Sequence, residues 1–190
     1  MISYRSSGFS LIEVLIAIFV LGLGIIGAAG LQLAAIRTSQ QSSFQTVAVQ
    51  LANELADKMR SNDTQMKLPD AANLFLKIKY NSATEPAPTA PALCYTNTAN
   101  CTTTDMANAD IYEWLVRVKK ALPGGRVQVC RDSKPYDNLS KSLTWTCTDD
   151  PNAGLTIKLG WKSKNPDGTF NDIAGVIPPS VAITVESYVK

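Results

Sequence analysis

A run of 28 residues from Phe9 to Ile36 constrains this chain most, because it is apolar almost throughout. Only Glu13 and Gln32 bring strongly polar side chains into it. About 20 apolar residues suffice for a helix to cross a bilayer, whereas a secretory signal has an apolar core of roughly 7–15. The small residues 27–30 lie too deep in the run for signal cleavage. The sequence therefore predicts a membrane-inserted helix.

The flanks of this run predict its orientation. The leader MISYRSSG carries one Arg and no acidic residue. The positive-inside tendency then keeps the leader in the cytoplasm. The chain from Arg37 onward is expected to be exported beyond the membrane. Its length suits one domain with an extension rather than two domains.

Composition excludes several classes of function. The chain has no histidine, so Ser-His-Asp and Cys-His nucleophile arrangements and His-ligated zinc sites are excluded. The net charge is only +2, and the 18 basic residues are scattered. Since no basic cluster is interleaved with aromatic residues, the sequence gives no indication of nucleic-acid binding.

The helix is predicted to continue well beyond the apolar run. No Pro or Gly occurs from Leu31 to Met59, and Ser61-Asn62-Asp63 ends the pattern. Glu54 and Lys58 are spaced for an ion pair along the helix. One apolar stripe recurs at three- and four-residue steps, formed by Phe44, Val47, Ala48, Leu51, Leu55 and Met59. A rod from Phe9 to Arg60 would be about 75 Å long.

The middle of the chain is less regular. Residues 68–80 fit a short helix or a strand, and we favour the helix; the Pro-rich EPAPTAPAL is expected to be an extended loop. A further helix is predicted to be capped by Thr104 or Asp105 and to end at Pro123-Gly124-Gly125. Its predicted apolar stripe is Ile111, Leu115, Val118 and Leu122.

After Gly125, apolar residues recur at every second position. RVQVC, SLTWTC, GLTIKLGWKS and SVAITVESYV read as strands separated by turn residues. Because no long helices connect them, they should pair in antiparallel fashion. The apolar faces of these strands need another element to cover them. One face has Ile157, Leu159 and Trp161, and another has Val181, Ile183, Val185 and Val189. The amphipathic half of the long helix supplies it, which predicts an α+β fold.

Four cysteines lie in the exported part. Two disulfides are predicted, and of the three possible connectivities we favour Cys94–Cys101 and Cys130–Cys147, since each closes a local loop. A zinc site made of all four is the alternative, but the spacings of six, twenty-eight and sixteen intervening residues contain no metal-binding knuckle.

Other conspicuous side chains are assigned structural roles. We interpret Trp114, Trp145 and Trp161 as packing residues. The pairs Asp149-Asp150 and Asp167/Asp172 are interpreted as turn residues rather than a calcium site. Lys119-Lys120 should lie on a solvated helix face. No metal or cofactor site is predicted.

The stretch GFSLIEVLIAIFVLGLG resembles the class III signal of type IV pilins and type II secretion pseudopilins. In that family a prepilin peptidase cuts after the Gly that ends the leader and the new N-terminal residue is methylated. The resemblance implies cleavage between Gly8 and Phe9, N-methylation of Phe9, and an assembly role for Glu13. It also implies a pilin fold, with a disulfide in the C-terminal half of the head.

Two further blocks narrow the resemblance. Residues 54–62 (ELADKMRSN) and the block from Tyr112 to Cys130 are similar to the PilV group of minor pilins, the type IV pilus modification proteins. The resemblance implies a leader (1–8), a transmembrane and filament-core helix half (9–36) and a periplasmic head (37–190). The location would be the inner membrane and then the pilus, at or near the tip.

The same resemblance implies a structural role without catalysis. Such proteins help to initiate pilus assembly, twitching motility and adhesion. The implied partners are other minor pilins, the major pilin, the prepilin peptidase, the inner-membrane assembly platform and a tip adhesin. Three alternatives stay open: a minor pseudopilin of type II secretion, a membrane-anchored periplasmic enzyme or receptor, and a DNA-binding pilus tip protein.

Overall fold

The fold is dominated by one long helix. The structure, a computed structural model, describes residues 8–92, 94–95, 100–172 and 175–185. Helix α1 (Leu11–Ser61) runs unbroken for 51 residues, which is roughly 75 Å. It begins after Ser10 and ends before Asn62, close to both predicted ends. The prediction of one continuous rod is confirmed.

The two halves of α1 have different surroundings. We call residues 11–36 the arm and residues 37–61 the packed half. The arm is exposed along almost its whole length, and Phe44 and Val47 in the packed half are partly buried. The buried positions of α1 all lie in the packed half and are Ala48, Leu51, Ala52, Leu55, Ala56 and Met59. The predicted stripe is therefore confirmed.

The packed half lies against a four-stranded antiparallel sheet. The order is β1-β2-β5-β6, with β1 at Lys79–Asn81, β2 at Arg126–Arg131, β5 at Leu155–Gly160 and β6 at Val181–Val185. In register, Val129 of β2 faces Ile157 of β5, which faces Ile183 of β6. A second sheet consists of β3 (Tyr136–Asp137) and β4 (Ser142–Leu143). The α+β prediction is confirmed.

The shared core joins the long helix, the sheet and a second helix. Ile157, Leu159 and Trp161 are buried, as predicted for one face of β5, and Val181 and Val185 of β6 are buried too. Ile183 is partly buried and packs against this core. Val189 lies outside the described residues. Burial of each large apolar side chain contributes about 1.5–3 kcal/mol, so the core carries most of the stability.

Helix α3 (Thr103–Ala121) fastens the packed half from the side. Thr102 caps it in a capping box with Asp105. The Thr102 hydroxyl accepts from the Asp105 N–H at 3.2 Å, and the Thr102 N–H donates to the Asp105 carboxylate at 2.9 Å. The cap therefore lies two or three residues before the predicted one. The indole N–H of Trp114 donates to the Leu51 carbonyl at 2.7 Å, inside the core.

Two ion pairs connect α1 to α3. Lys58 pairs with Asp110, and Glu54 pairs with Arg117. The predicted pair between Glu54 and Lys58 is therefore wrong. Both side chains have partners on the neighbouring helix instead, which links elements more than 50 residues apart in sequence.

The irregular middle of the chain combines both predicted alternatives. A short helix α2 (Asp63–Met66) follows α1, then a 3-10 helix at Leu74–Lys77 leads directly into β1. The preference for a single helix over residues 68–80 is therefore only partly right. Asn73 caps the 3-10 turn by accepting from the Phe75 N–H at 3.0 Å.

The strand predicted in SLTWTC is short. Only Ser142–Leu143 is a strand, and the rest of the segment crosses the outer face of the sheet. There the carbonyls of Thr144 and Thr146 accept from the Lys158 ammonium at 2.8 and 2.7 Å. Lys158 also pairs with the Asp132 carboxylate at 2.5 Å, with both side chains fully buried. Residues 144–147 therefore cover β5 with polar backbone groups, and we call them the lid segment.

Two disulfides tie the loops of the head. The structure joins Cys94 to Cys101, with Cα atoms 6.0 Å apart, and Cys130 to Cys147, at 6.3 Å. These are the pairs that the sequence analysis favours. The second bond holds the lid segment to β2, since Cys130 belongs to that strand.

Replacing Trp114 by Phe should destabilise the head through loss of a buried hydrogen bond. We expect a decrease of about 0.5–1.5 kcal/mol in the free energy of unfolding from that bond alone. Urea denaturation of the full chain in detergent, followed by circular dichroism, measures it.

Trp161→Phe is the matched control for this measurement. Trp161 is as deeply buried, at 1% exposed against 0% for Trp114, but its indole N–H has no partner among the described residues. Equal losses in the two variants would contradict the assigned bond.

The Asp70–Arg131 pair should make stability depend on pH in the acid range. Arg131 donates to both carboxylate oxygens of Asp70, at 2.6 and 2.8 Å, and this lowers the pKa of Asp70 below its ordinary 3.8. A lowered folded-state pKa gives stability that is present above pH about 3.8 and lost as pH falls through the folded value.

We expect Asp70→Asn to be less stable than the parent at pH 7, by at most about 1 kcal/mol because the carboxylate is half exposed. The difference should shrink as pH falls below about 3.8, and denaturation midpoints from pH 7 down into that range measure it. Asp57→Asn, at an exposed pair with Arg60, should have no such effect. A pH-independent difference for Asp70→Asn would refute the linkage.

Candidate functional site

The predicted processing residues lie at the free end of the arm. Gly8, Phe9 and Ser10 precede α1 in non-helical backbone, and Phe9 is 87% exposed. A Cβ at Gly8 would meet nothing within 4 Å. The Gly8–Phe9 peptide bond is therefore open to another protein and free of helical hydrogen bonds. Residues 1–7 of the leader lie outside the described part of the chain.

Glu13 has a local role that the sequence analysis missed. Its carboxylate accepts from the Ser10 N–H at 2.9 Å, and Ser10 is the N-cap of α1. The first N–H groups of a helix have no partner within the helix, so this bond satisfies one of them. An acid in the first turn also interacts favourably with the positive end of the helix dipole. The spacing Ser10-x-x-Glu13 is the signal that would have revealed it.

The arm presents an apolar surface that the head does not cover. Among the described residues, α1 contains a stretch that is long and apolar enough to cross a membrane, and none of that stretch is buried. The arm has large exposed side chains on all sides of the helix, including Leu15, Ile16, Ile18 and Leu21. A helix that is apolar all round is stable where lipid or other helices surround it. The arrangement therefore suits insertion and bundling.

Four glycines in the arm have no packing partner within the chain. A Cβ added at Gly22, Gly24, Gly27 or Gly30 would meet nothing within 4 Å, and the helix is continuous through all four. Small residues let membrane helices approach each other closely. Any contact that needs these glycines is therefore made with another molecule.

The predicted site residues fall into two separate groups. Gly8, Phe9 and Glu13 lie together at the tip of the arm. The cysteines belong to the head, whose hydrophobic core packs against α1 from Phe44 onward, about 45 Å from Glu13 along the axis. In the described ranges, no group of three or more His, Cys, Asp or Glu side chains could hold a metal ion.

The head contains one buried charged pair that sequence reasoning did not find. Lys158 and Asp132 lie under the lid segment, as described above. Lys158 stands in the β5 pattern where a lysine would be read as solvent-facing. Only the tertiary crossing of residues 144–147 buries it, so no local signal could have shown the pair.

The geometry agrees with two comparisons to known families. Residues 3–29 match the prokaryotic N-terminal methylation motif. Residues 30–112 match the type IV pilin Tt1218 family. Comparison with curated proteins and with solved structures gives no match.

The two matched regions adjoin and cover the arm, the packed half of α1 and about the first half of α3. Pilins are structural proteins without enzymatic activity, and they are processed by a prepilin peptidase and assembled with other pilins. The motif and the exposed apolar helix indicate membrane anchoring before assembly. Residues 3–112 therefore match type IV pilin models, and the start of this stretch carries the N-terminal methylation motif.

Proposed function

We propose that this chain is a minor pilin of the PilV type, which helps to initiate assembly of the type IV pilus within a minor-pilin complex at the tip. In this proposal residues 1–8 are removed, residues 9–36 anchor the subunit and later enter the filament core, and residues 37–190 form the periplasmic head. Twitching motility and adhesion follow from the pilus that it helps to build.

The exposed arm is the observation that carries this proposal. Its apolar side chains have no partners in the head, and each gains about 1.5–3 kcal/mol when it leaves water. Lipid surrounds these apolar side chains before assembly, and a bundle of pilin helices surrounds them afterwards. The rigid joint to the head means that moving the arm from one environment to the other carries the head along.

The Glu13 carboxylate is suited to guide that transfer. One of its oxygens accepts from Ser10, and the other has no partner among the described residues. Cleavage after Gly8 would create an amine at Phe9, on this chain and on its neighbours. A unit charge pair at about 4 Å attracts by roughly 4 kcal/mol at an effective dielectric of 20, before desolvation is counted. A charge in an apolar bundle therefore penalises wrong register.

Processing can be tested at Gly8. Because a side chain there meets no neighbour, Gly8→Val should leave the fold intact and block only the peptidase. We expect the intact mass of the parent to correspond to a chain that begins with N-methyl-Phe9, and that of the variant to retain the leader. Gly24→Ala, also in open space, is the control and should be processed normally. A parent chain that retains Met1 would favour a plain membrane anchor.

The charge of Glu13 can be separated from its cap. Glutamine also accepts a bond at this capping position, so Glu13→Gln keeps the cap and removes the charge. Glu13→Ala removes both, and Ser10→Ala tests the N-cap side chain alone. All three variants should stay in the membrane fraction, since the apolar arm is unchanged.

We expect both Glu13 variants to be depleted from sheared pili at least several-fold, and Ser10→Ala to be incorporated like the parent. Immunoblots of the pilus and membrane fractions measure this. Normal incorporation of Glu13→Gln would show that the cap, rather than the charge, is what assembly uses.

Deletion of the gene distinguishes the pilus from secretion. The proposal predicts fewer surface pili and reduced twitching, with both restored by the parent chain. Intact pili together with a loss of protein secretion would identify a minor pseudopilin of type II secretion instead.

A further inference from the structure

A groove lies where the arm joins the head. It encloses about 430 Å³ between the end of the arm and the loop at residues 162–170. Leu33 and Ile36 form its apolar side on α1, and Phe170 closes the opposite side. We call this the collar groove. All three side chains remain substantially exposed, so nothing within the described chain fills it.

Three cations surround the collar groove. Arg37 stands on α1, and Lys162 and Lys164 stand on the facing loop. Both lysines lie against the Phe170 ring, with Nζ atoms 4.2 and 5.4 Å from its centroid. No ion pair within the described ranges involves any of the three.

The loop is held in place, so these charges are positioned rather than scattered. The Arg37 guanidinium donates to the Pro166 carbonyl at 3.1 Å, and Lys164 bridges to Phe170 across a tight turn. Gly168 takes φ +92° there, and a Cβ would lie only 2.9 Å from the Arg37 guanidinium. The positive φ is a conformation that favours glycine, so Gly168 helps to fix the shape of this turn.

The acidic neighbour does not cancel the charge. Asp167 turns back into the loop, where its carboxylate accepts from the Thr169 N–H and hydroxyl at 2.9 and 2.7 Å. These bonds, with a smaller contribution from Arg37, lower its pKa. One carboxylate among three cations leaves the collar groove net positive.

The groove also contains an unsatisfied polar group. Ser163 lines it and is only 8% exposed, yet its hydroxyl has no hydrogen-bond partner among the described residues. A buried hydroxyl without a partner costs free energy.

The position along the helix identifies the class of ligand. Arg37 is 24 residues after Glu13, or about 36 Å along the axis. The hydrocarbon core of a bilayer is about 30 Å thick, and the headgroup regions bring the total to about 40–45 Å. An arm that spans the membrane with Glu13 near one interface therefore places the collar groove among the headgroups of the opposite leaflet.

We propose that the collar groove binds an anionic phospholipid of the leaflet that faces the head, before the subunit is extracted. The phosphate lies among Arg37, Lys162 and Lys164, and an acyl chain follows Leu33 and Ile36. The inference rests on the membrane-anchored stage of the proposed function. It adds a lipid partner that the subunit must release when it enters the filament.

Lipid titration of the full chain tests this directly. The chain in mild detergent is titrated with phosphatidylglycerol or with phosphatidylcholine of the same acyl chains, and bound lipids are counted by native mass spectrometry. We expect the parent to favour phosphatidylglycerol. Near a membrane surface each lysine changes such affinities about fivefold, so Lys162→Gln with Lys164→Gln should lower this preference on the order of tenfold or more.

Lys119→Gln with Lys120→Gln is the matched control. It removes the same charge from the exposed face of α3 and should keep the preference. An equal loss in the control, or no preference in the parent, would overturn the proposal. Inorganic phosphate that displaces the lipid at micromolar concentration would also overturn it, since the groove would then be a site for free phosphate.

Pilus assays keep this inference separate from the proposed function. Normal lipid binding by the groove variant, together with its exclusion from sheared pili, would make the groove a contact between subunits and refute the lipid site. A parent chain that is processed and piliated normally but shows no lipid preference refutes the lipid site alone. A deletion without pilus defects, with the preference intact, refutes the minor-pilin role alone.

Discussion

One continuous helix has to be stable in two environments, with its arm outside the head and its packed half inside the core. The rest of the structure depends on this constraint. No residue from Leu31 to Met59 breaks α1, so the arm and the packed half share one axis. Whatever orients the packed half therefore orients the arm. Leu55 and Met59 are fully buried against the sheet, and Trp114 bonds to the α1 backbone at Leu51. The small core of the head thus determines the direction in which a helix roughly 75 Å long projects.

Periodicity predicts the elements but not their partners. Three- and four-residue spacing located the buried stripe of α1, and the change to period two located the main strands. In α3 the predicted stripe was only half right: Val118 and Leu122 are buried, whereas Ile111 and Leu115 only pack at the edge of the core. Trp114 lies at the centre instead, because its N–H finds an acceptor on α1. Such a hydrogen bond depends on how the two helices pack against each other, and the spacing of apolar residues within one helix does not give that information.

The two charged regions at the ends of the arm differ in how far the sequence reveals them. Glu13 stands alone in an apolar run, so its unusual position is visible at once, and its cap follows from the spacing to Ser10. The collar groove joins Arg37 to a loop about 125 residues further along the chain. Its lysines are ordinary surface residues in any local reading. Folding alone brings them to the level of the arm where an apolar helix gives way to a polar one.

The cap and the charge of Glu13 do not compete, and this bears on how the subunit can change environment. The bond to the Ser10 N–H occupies one carboxylate oxygen and belongs to the helix itself. It therefore persists in lipid and in a helix bundle alike, and it keeps the start of α1 ordered in both. The second oxygen is left to exchange water or headgroup contacts for an amine. The carboxylate can thus gain a partner on assembly without giving up the bond that begins the helix.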